Sequence, residues 1–340
     1  MSVSSRASAR RWFVGAAALA AVAGVGAAVR SRRGAASAPT DAPNPALSDP
    51  ILHPETVPVV SADGHPIHVL AYGDPSAPAI VLSHGWTCST TFWHPQINAL
   101  ADDYRVVVYD QRGHGRTGIG PTPLTPELLG DDLDAVLAAT VTDGRKAVVV
   151  GHSMGGMSIM SWALKYPDHV EAMASAVMLA STGSDHLVAE TTIIPRPKRG
   201  PAIPVPVGTA ILGSKAPLIA SPLTRKGVQY VALAPGSTRQ EVDFCVRIVR
   251  ECSPATRGGW GRALSTLDIG ASLDHLTVPT TVLVGTADRL TPQIHSVRMS
   301  ERLDADEHLS RLIRLPGIGH MSTVEAPAEV NAEIRRLRQL

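Results

Sequence analysis

The sequence predicts an α/β fold in which helices cover both faces of a mostly parallel, doubly wound sheet. Short apolar runs without polar alternation, as expected for strands buried on both faces, occur at residues 79–83, 105–109, 147–150, 176–180 and 280–284. Helical patterns lie between these runs, notably at residues 91–101 and 125–141, where Pro126 suits a first helical turn. This repeated order of strand and helix is typical of parallel β-α units.

An antiparallel pair is expected at one edge of this sheet. The apolar segments 57–60 and 67–72 flank Asp63-Gly64, a dipeptide that favours a tight hairpin turn. The hairpin precedes the first parallel unit along the chain.

Composition is ordinary for a globular protein. The chain has 340 residues, of which 44% are hydrophobic and 18% charged, and 31 basic against 30 acidic residues leave a formal charge of +1. This length allows one domain with an insertion or two modest domains. This near-neutral balance does not indicate a basic surface that would bind nucleic acid. Neither metal-ligand spacing nor a glycine-rich phosphate cradle is present, so we expect neither a metal nor a cofactor.

The three cysteines do not suggest a disulfide framework. They are Cys88, Cys245 and Cys252. A helix is predicted at residues 237–251 with Ser237 as its cap, and seven residues of helical rise would separate Cys245 from Cys252 by about 10 Å. We therefore predict free thiols.

The first fifty residues read as a leader and a linker. Arg10-Arg11-Trp12-Phe13-Val14 is similar to a twin-arginine export motif, and residues 12–29 form an uncharged run rich in Ala and Gly. We expect an export signal or a membrane anchor, with a disordered arm on a cytoplasmic protein as the alternative. Residues 34–50 have the Ala, Pro and Ser composition of a linker, which leaves residues 51–340 as the folded domain.

The strand and helix alternation breaks at about residues 184–276. Five prolines fall between Pro195 and Pro206, followed by the predicted helix at 237–251 and an expected turn at Gly258-Gly259-Trp260. The apolar content of the helix argues for a segment that packs. We interpret this region as a cap inserted over the carboxyl edge of the sheet.

The strand at 147–150 leads into the strongest candidate for chemistry. Gly151 ends the strand, Ser153 follows, and Gly155 opens a helical pattern that Pro167 stops. Small residues on both sides let a strained turn hold a serine hydroxyl out of the sheet. We predict Ser153 to be a nucleophile.

A serine nucleophile needs an imidazole to take its proton and a carboxylate to orient that imidazole. Asp288 follows the strand at 280–284, and His320 lies in a glycine-rich turn after another apolar run. Both residues would reach the carboxyl edge of the sheet with Ser153. We predict Asp288 as the acid and His320 as the base.

Acyl transfer also needs donors for an oxyanion. The backbone N–H of Met154 begins the helix after Ser153, where amides lack helical partners. Trp86 follows the strand at 79–83 directly, so its amide is the second predicted donor.

Five motifs together resemble those of the α/β-hydrolase superfamily. They are His84-Gly85-Trp86, Asp110-Gln111-Arg112-Gly113-His114-Gly115, Gly151-His152-Ser153-Met154-Gly155-Gly156, Gly285-x-x-Asp288 and Gly319-His320. The resemblance covers about residues 57–340 and implies an α/β-hydrolase fold with an inserted, largely helical cap. The His-Gly-x loop and the elbow are similar to the branch that holds esterases, haloperoxidase-like enzymes, carbon-carbon bond hydrolases and monoacylglycerol lipases.

The resemblance also bears on residues that compete for these roles. It implies a structural turn at Asp110, and it leaves Asp185 as the rival to Asp288 because the acid lies after that earlier strand in some relatives. A serine at position 153 argues against haloalkane dehalogenases and epoxide hydrolases, which use aspartate.

Other polar and aromatic residues near these motifs have simpler interpretations. His84, His114 and His152 are interpreted as packing or hydrogen-bonded loop histidines. Trp86 and Trp260 are interpreted as core residues, with the lining of an apolar pocket as the alternative.

These observations predict a serine hydrolase that cleaves an ester-type bond of a small, largely apolar substrate through an acyl-enzyme. Carbon-carbon bond hydrolysis or perhydrolysis on the same three residues is the alternative. A ligand-binding protein that retains the three residues without turnover is a third hypothesis. The sequence leaves the substrate and the oligomeric state open.

Overall fold

A computed structural model of the chain describes residues 43–193 and 204–340. Eight strands form one sheet in the order β1-β2-β4-β3-β5-β6-β7-β8. The strands are β1 (Glu55–Val60), β2 (Pro66–Tyr72), β3 (Ala79–Ser83), β4 (Arg105–Tyr109), β5 (Ala147–His152), β6 (Ala174–Ala180), β7 (Thr280–Gly285) and β8 (Leu309–Leu315). All pairs from β4 to β8 in the sheet order are parallel. The predicted α/β fold is confirmed.

The antiparallel hairpin at the edge is also confirmed. Strand β1 pairs with β2 with Val57 opposite Val69, and β2 then pairs antiparallel with β4. Gly64 lies in the connecting turn with a φ of 80°, a conformation that glycine adopts without steric cost.

Helices cover both faces of the sheet. They are α1 (His94–Leu100), α2 (Pro126–Thr140), α3 (Met154–Lys165), α4 (Pro167–Met173), α5 (Leu187–Glu190), α6 (Val205–Leu212), α7 (Pro222–Ala232), α8 (Arg239–Glu251), α9 (Pro254–Leu264), α10 (Gln293–Ala305), α11 (Ser322–Glu325) and α12 (Pro327–Arg338). Short 3-10 helices lie at Pro45–Leu47, Thr90–Trp93 and Gly270–His275.

The central strand β5 is buried along its whole length. Successive side chains point to opposite faces, so Val149 packs in the core that contains Trp162 while Val148 packs in the core that contains Phe92. Burial on both faces explains why the strand sequence lacks polar alternation.

Helices α5 to α9 lie between β6 and β7, in the region interpreted as the cap. Two details of that prediction were wrong. Helix α8 is capped by Thr238, which forms a reciprocal capping box with Glu241, whereas the Ser237 hydroxyl bonds elsewhere. The expected turn at Gly258-Gly259-Trp260 lies inside helix α9.

Close packing accounts for the glycines of α9. A Cβ at Gly258 would lie 2.8 Å from the carbonyl oxygen of Gly213, and one at Gly261 would collide with the carbonyl of Leu212. The glycines therefore let α9 approach the end of α6, an approach that outweighs their low helix propensity.

The three thiols are free and buried, as predicted. Part of the predicted linker is ordered, because Leu47 is buried and the Asn44 amide donates to the Gln240 side chain at 2.6 Å. The run at 12–29 lies outside the described residues, and its role as a signal or anchor stays a prediction. Within residues 43–193 and 204–340, no helix is long and apolar enough to cross a bilayer.

A buried arginine joins the edge hairpin to the turn after β4. The Arg112 side chain is fully buried and donates to Asp132 at 2.7 Å and to Asp63 at 2.8 Å. The Arg112 guanidinium holds the pKa of the Asp63 carboxyl well below its usual range.

We predict that Arg112→Met lowers the free energy of unfolding by about 3–5 kcal/mol, because Asp132 would be left as an uncompensated buried charge. Urea denaturation measures this change. The matched control is Arg302→Met, which breaks a half-exposed pair with Asp274 and should cost about 1 kcal/mol or less. Equal losses in the two variants would contradict the prediction.

Candidate active site

Ser153 lies at a strained turn between β5 and α3. Its backbone has a φ of 53° and a ψ of −117°, a conformation that a non-glycine residue rarely adopts. The flanking glycines allow close approach, because a Cβ at Gly155 would collide with the carbonyl of Ser83 and one at Gly151 with the backbone of Gly155. The turn presents the serine at the carboxyl edge of the sheet.

His320 is paired with Asp288. The Nδ1 atom of His320 lies 2.9 Å from Oδ2 of Asp288, and both side chains are buried. Thr291 donates its hydroxyl to the same Oδ2 at 3.0 Å, while the amides of Leu290 and Thr291 donate to Oδ1. Because a carboxylate only accepts, the hydrogen bond places a proton on Nδ1 of His320, so in the neutral ring Nε2 is the acceptor.

The rival acid Asp185 is engaged elsewhere. Its carboxylate pairs with Arg298 of α10 at 2.5 Å, and Arg298 also binds Glu190. The structure therefore brings Asp288, and not Asp185, to the imidazole of His320.

Two further side chains fix the loop that carries His320. The His152 ring donates Nε2–H to the backbone carbonyl of His320 at 2.8 Å, and burial lowers the pKa of His152 well below its ordinary value. Glu325 accepts from the amides of Gly319 at 2.5 Å and Ala234 at 2.7 Å. Glu325 thereby links the histidine loop to the segment that follows α7.

The loop after β3 lies directly against Ser153. A Cβ at Gly85 would lie 3.2 Å from the Cβ of Ser153 and 2.9 Å from Nδ1 of His152. Within residues 43–193 and 204–340, the amides of Trp86 and Met154 donate to no protein acceptor. Both predicted oxyanion donors are therefore open.

Two neutral histidines hold this loop. His84 donates Nδ1–H to the carbonyl of Gly85 and accepts from the Gln111 amide, and His114 accepts from the Thr87 amide at 3.1 Å. Burial lowers the pKa of His84 and lowers that of His114 to about 3. These rings bond to the backbone, in agreement with their interpretation as loop histidines.

Asp110 has the hydrogen bonds of a structural residue. Its carboxylate accepts from the amides of Thr90 and Arg116 and lies 2.8 Å from Nδ1 of His68. It fixes the turn after β4 and is absent from the cavity lining.

A cavity of about 420 Å³ opens beside these groups. Ser153, His320 and Trp86 line it, together with mostly apolar side chains from the cap helices. Trp260 belongs to the core and does not line the cavity, because it is fully buried with its Nε1–H donating to the carbonyl of Arg112. No cluster of three or more His, Cys, Asp or Glu residues in the described ranges is arranged to hold a metal.

Two supporting residues escaped the sequence analysis. Thr291, which holds Asp288, stands in a Leu-Thr-Pro turn, and Glu325 lies five residues after His320. His152 bonds to the loop of His320, in agreement with its interpretation as a hydrogen-bonded loop histidine. Its partner lies 168 residues away in the chain, so no local pattern identifies that partner.

We predict that stability falls as the pH drops from 6.5. His114 and His152 stay neutral when folded but take protons when unfolded, so each contributes stability above pH 6.5 that is lost on acidification. Each of these two should add about 1.4 kcal/mol per pH unit to the slope, and the lowered pKa of His84 acts in the same direction. Urea unfolding at pH 7, 6 and 5 measures it, and His114→Gln should remove one histidine's share. An unchanged slope in that variant would contradict the assignment.

Comparison with known proteins agrees with this geometry. Residues 80–333 match the alpha/beta hydrolase family. A Caulobacter sp. (strain K31) protein named as a carbamate hydrolase, RutD, is 31% identical over 258 residues, which cover 75% of this chain and 88% of that protein.

Two solved esterases share the fold. The Thermogutta terrifontis esterase has a TM-score of 0.66 at 20% identity, over 84% of this chain and 98% of its own. The esterase EaEST from Exiguobacterium antarcticum has a TM-score of 0.67 at 19% identity, over 84% and 100%. With the family match above, these findings show that the chain belongs to the alpha/beta hydrolase family and is a hydrolase.

Proposed function

We propose that this hydrolase cleaves an ester-type bond of a small, largely apolar substrate through an acyl-enzyme on Ser153. The observation that carries the proposal is the common cavity of Ser153 and His320, with His320 paired to Asp288 at 2.9 Å. A nucleophile, a base and an orienting acid are the groups that acyl transfer needs.

The proton positions suit that reaction. Because Nδ1–H of His320 donates to Asp288, Nε2 is free to take the proton of Ser153 as its oxygen attacks the carbonyl carbon. The carbonyl π bond opens to a tetrahedral oxyanion. Its collapse expels the alcohol, which receives the proton from His320. Water then repeats the sequence on the acyl-enzyme and releases the acid.

The open amides of Trp86 and Met154 supply oxyanion donors in this scheme. Backbone amides are neutral and fixed, so they stabilise the developing negative charge without reorganisation. Gly85 is required for the loop to lie so close to Ser153. The scheme needs no cofactor, because the chain supplies every group.

The lining of the cavity supports the substrate class. Aliphatic side chains predominate, including Met157, Leu212, Val231 and Leu264. Transfer of apolar substrate surface into such a cavity is favourable by about 25 cal/mol per Å², so a hydrocarbon acyl or alcohol group fits it.

A carbamate is the second candidate, favoured by the relatives that are named as carbamate hydrolases. The same attack on a carbamate carbonyl gives a carbamoyl-enzyme. Nitrogen donation makes that carbonyl less electrophilic, so the two candidates differ in rate of turnover.

A matched pair of substrates separates them. We would compare 4-nitrophenyl hexanoate with 4-nitrophenyl N-butylcarbamate by release of nitrophenolate. Rapid turnover of the ester, with about one equivalent released from the carbamate, would support the ester proposal. Faster steady turnover of the carbamate would reverse the choice.

We predict that Ser153→Ala reduces kcat on 4-nitrophenyl hexanoate by about 10⁴-fold or more, because the variant lacks the nucleophile. The folded state of the variant is checked by urea denaturation. Turnover within tenfold of wild type would remove Ser153 from the mechanism.

We predict that Asp288→Asn reduces kcat by roughly 10³- to 10⁴-fold, because an amide does not hold the imidazole in the required tautomer. Asp185→Asn is the matched control at the neighbouring strand end and should stay within a fewfold of wild type. A larger loss in the control would transfer the acid role to Asp185.

A further inference from the structure

Arg257 of helix α9 is a buried cation in the wall of the apolar cavity. Only 9% of the residue is exposed, and Arg257 is among the residues that line the same cavity as Ser153. Arginine is seldom buried unless a partner compensates its charge.

Its protein partners do not provide that compensation. The guanidinium donates to the backbone carbonyl of Ala216. Within residues 43–193 and 204–340, no carboxylate lies within ion-pairing distance of it. The buried Arg112, in contrast, has two carboxylate partners. Burial accordingly lowers the pKa of Arg257 from its ordinary value, although a guanidinium remains protonated at neutral pH.

The rest of the cavity lining contains no counter-charge. No Asp or Glu is among the described residues that line it. The other ionisable groups in the described lining are two histidines, Cys88 and Tyr230. Burial lowers the pKa of His152 and raises that of Cys88. Among the described residues that line this mostly apolar cavity, Arg257 is thus the single permanently charged one.

Arg257 contacts Trp86, in the loop that follows β3. The Nε1–H of Trp86 donates to the backbone carbonyl of Arg257 at 3.1 Å, and a Cβ at Gly261 would lie 3.0 Å from the Trp86 ring. The backbone of Arg257 therefore contacts the indole of Trp86, the residue whose amide is the proposed oxyanion donor. Because Arg257 and Trp86 both line the cavity, Arg257 is part of the wall around a substrate bound at that amide.

We propose that Arg257 binds a carboxylate of the substrate, so that the preferred ester carries one anionic group at the end of an apolar acyl chain, as a monoester of an aliphatic dicarboxylic acid does. This inference rests on the proposed ester hydrolysis. A guanidinium binds a carboxylate through two parallel N–H donors. The single guanidinium of Arg257 can compensate one substrate carboxylate. A second carboxylate on the substrate would be buried in an apolar cavity without a counter-charge, which is unfavourable.

The test uses isosteric acyl chains that differ only in charge. We would measure kcat/KM for the monomethyl ester of octanedioic acid and for the matching ester in which the free carboxylate is a carboxamide. Wild type should prefer the carboxylate by roughly 10- to 100-fold, the range of a charge-assisted hydrogen bond. In Arg257→Gln the ratio should fall to about one, and Arg257→Lys should restore part of it.

Arg250→Gln is the matched control. Arg250 is an exposed arginine of α8 that also donates to a backbone carbonyl of this region, that of Leu218, but does not line the cavity. Its variant should keep the wild-type ratio. A wild-type preference for the carboxamide, or an equal loss on both substrates in Arg257→Gln, would overturn the anion site in favour of a structural role.

Ligand binding tests the Arg257 site even if the proposed ester hydrolysis is wrong. If wild type hydrolyses neither ester, titration calorimetry with octanoate and octanamide tests the site alone. Binding of octanoate that is lost in Arg257→Gln and kept in Arg250→Gln would support it. Equal affinity for octanoate and octanamide in wild type would refute it.

Discussion

The strained backbone of Ser153 is the constraint on which the site depends. A positive φ at a non-glycine residue costs about 1–3 kcal/mol and persists only where its surroundings impose it. Here the Ser153 amide donates to the carbonyl of Ala180 at 2.9 Å, and the hydroxyl of Thr182 donates to the Ser153 carbonyl at 2.7 Å. The end of strand β6 and the segment just after it therefore hold the turn through both the amide and the carbonyl of the serine. These hydrogen bonds and the packing of the buried sheet offset the free-energy cost of the strained backbone.

The cap and the sheet meet at the loop of His320. The amide of His320 donates to the carbonyl of Ala232 at the end of α7, and Glu325 joins Gly319 to Ala234. Asp288 thus orients the imidazole through Nδ1, and the cap region holds the His320 backbone through the carbonyl of Ala232. A change in cap packing would reach His320 through two backbone contacts, so cavity shape and imidazole position are physically coupled.

Sequence predicted the strands and the turn at Ser153 well, because buried parallel strands and glycine-flanked turns leave local patterns. It predicted the cap helices less well. Gly258 and Gly259 suggested a turn, whereas the small size of Gly258 and Gly261 allows α9 to pack closely against α6. That packing depends on residues distant in the chain, which no local pattern records.

The same limit applied to the supporting residues of the site. Asp288 and His320 follow strand ends, so topology alone brings them to one edge of the sheet. Glu325 and Arg257 follow no strand end, and their contacts are with residues distant in the chain, Ala234 and Ala216. Only the folded structure shows that Arg257 is buried and Glu325 half-buried.

The central claim, that Ser153 is activated by His320, is tested most directly by a fluorophosphonate probe followed by peptide mass spectrometry. The probe reacts with an activated serine and reports its position. We expect labelling of Ser153 in wild type and a loss of about 10³-fold or more in labelling rate in His320→Ala, because the serine would lack its base. Labelling of Ser153 at the same rate in both proteins, or no labelling of folded wild type, would contradict the account.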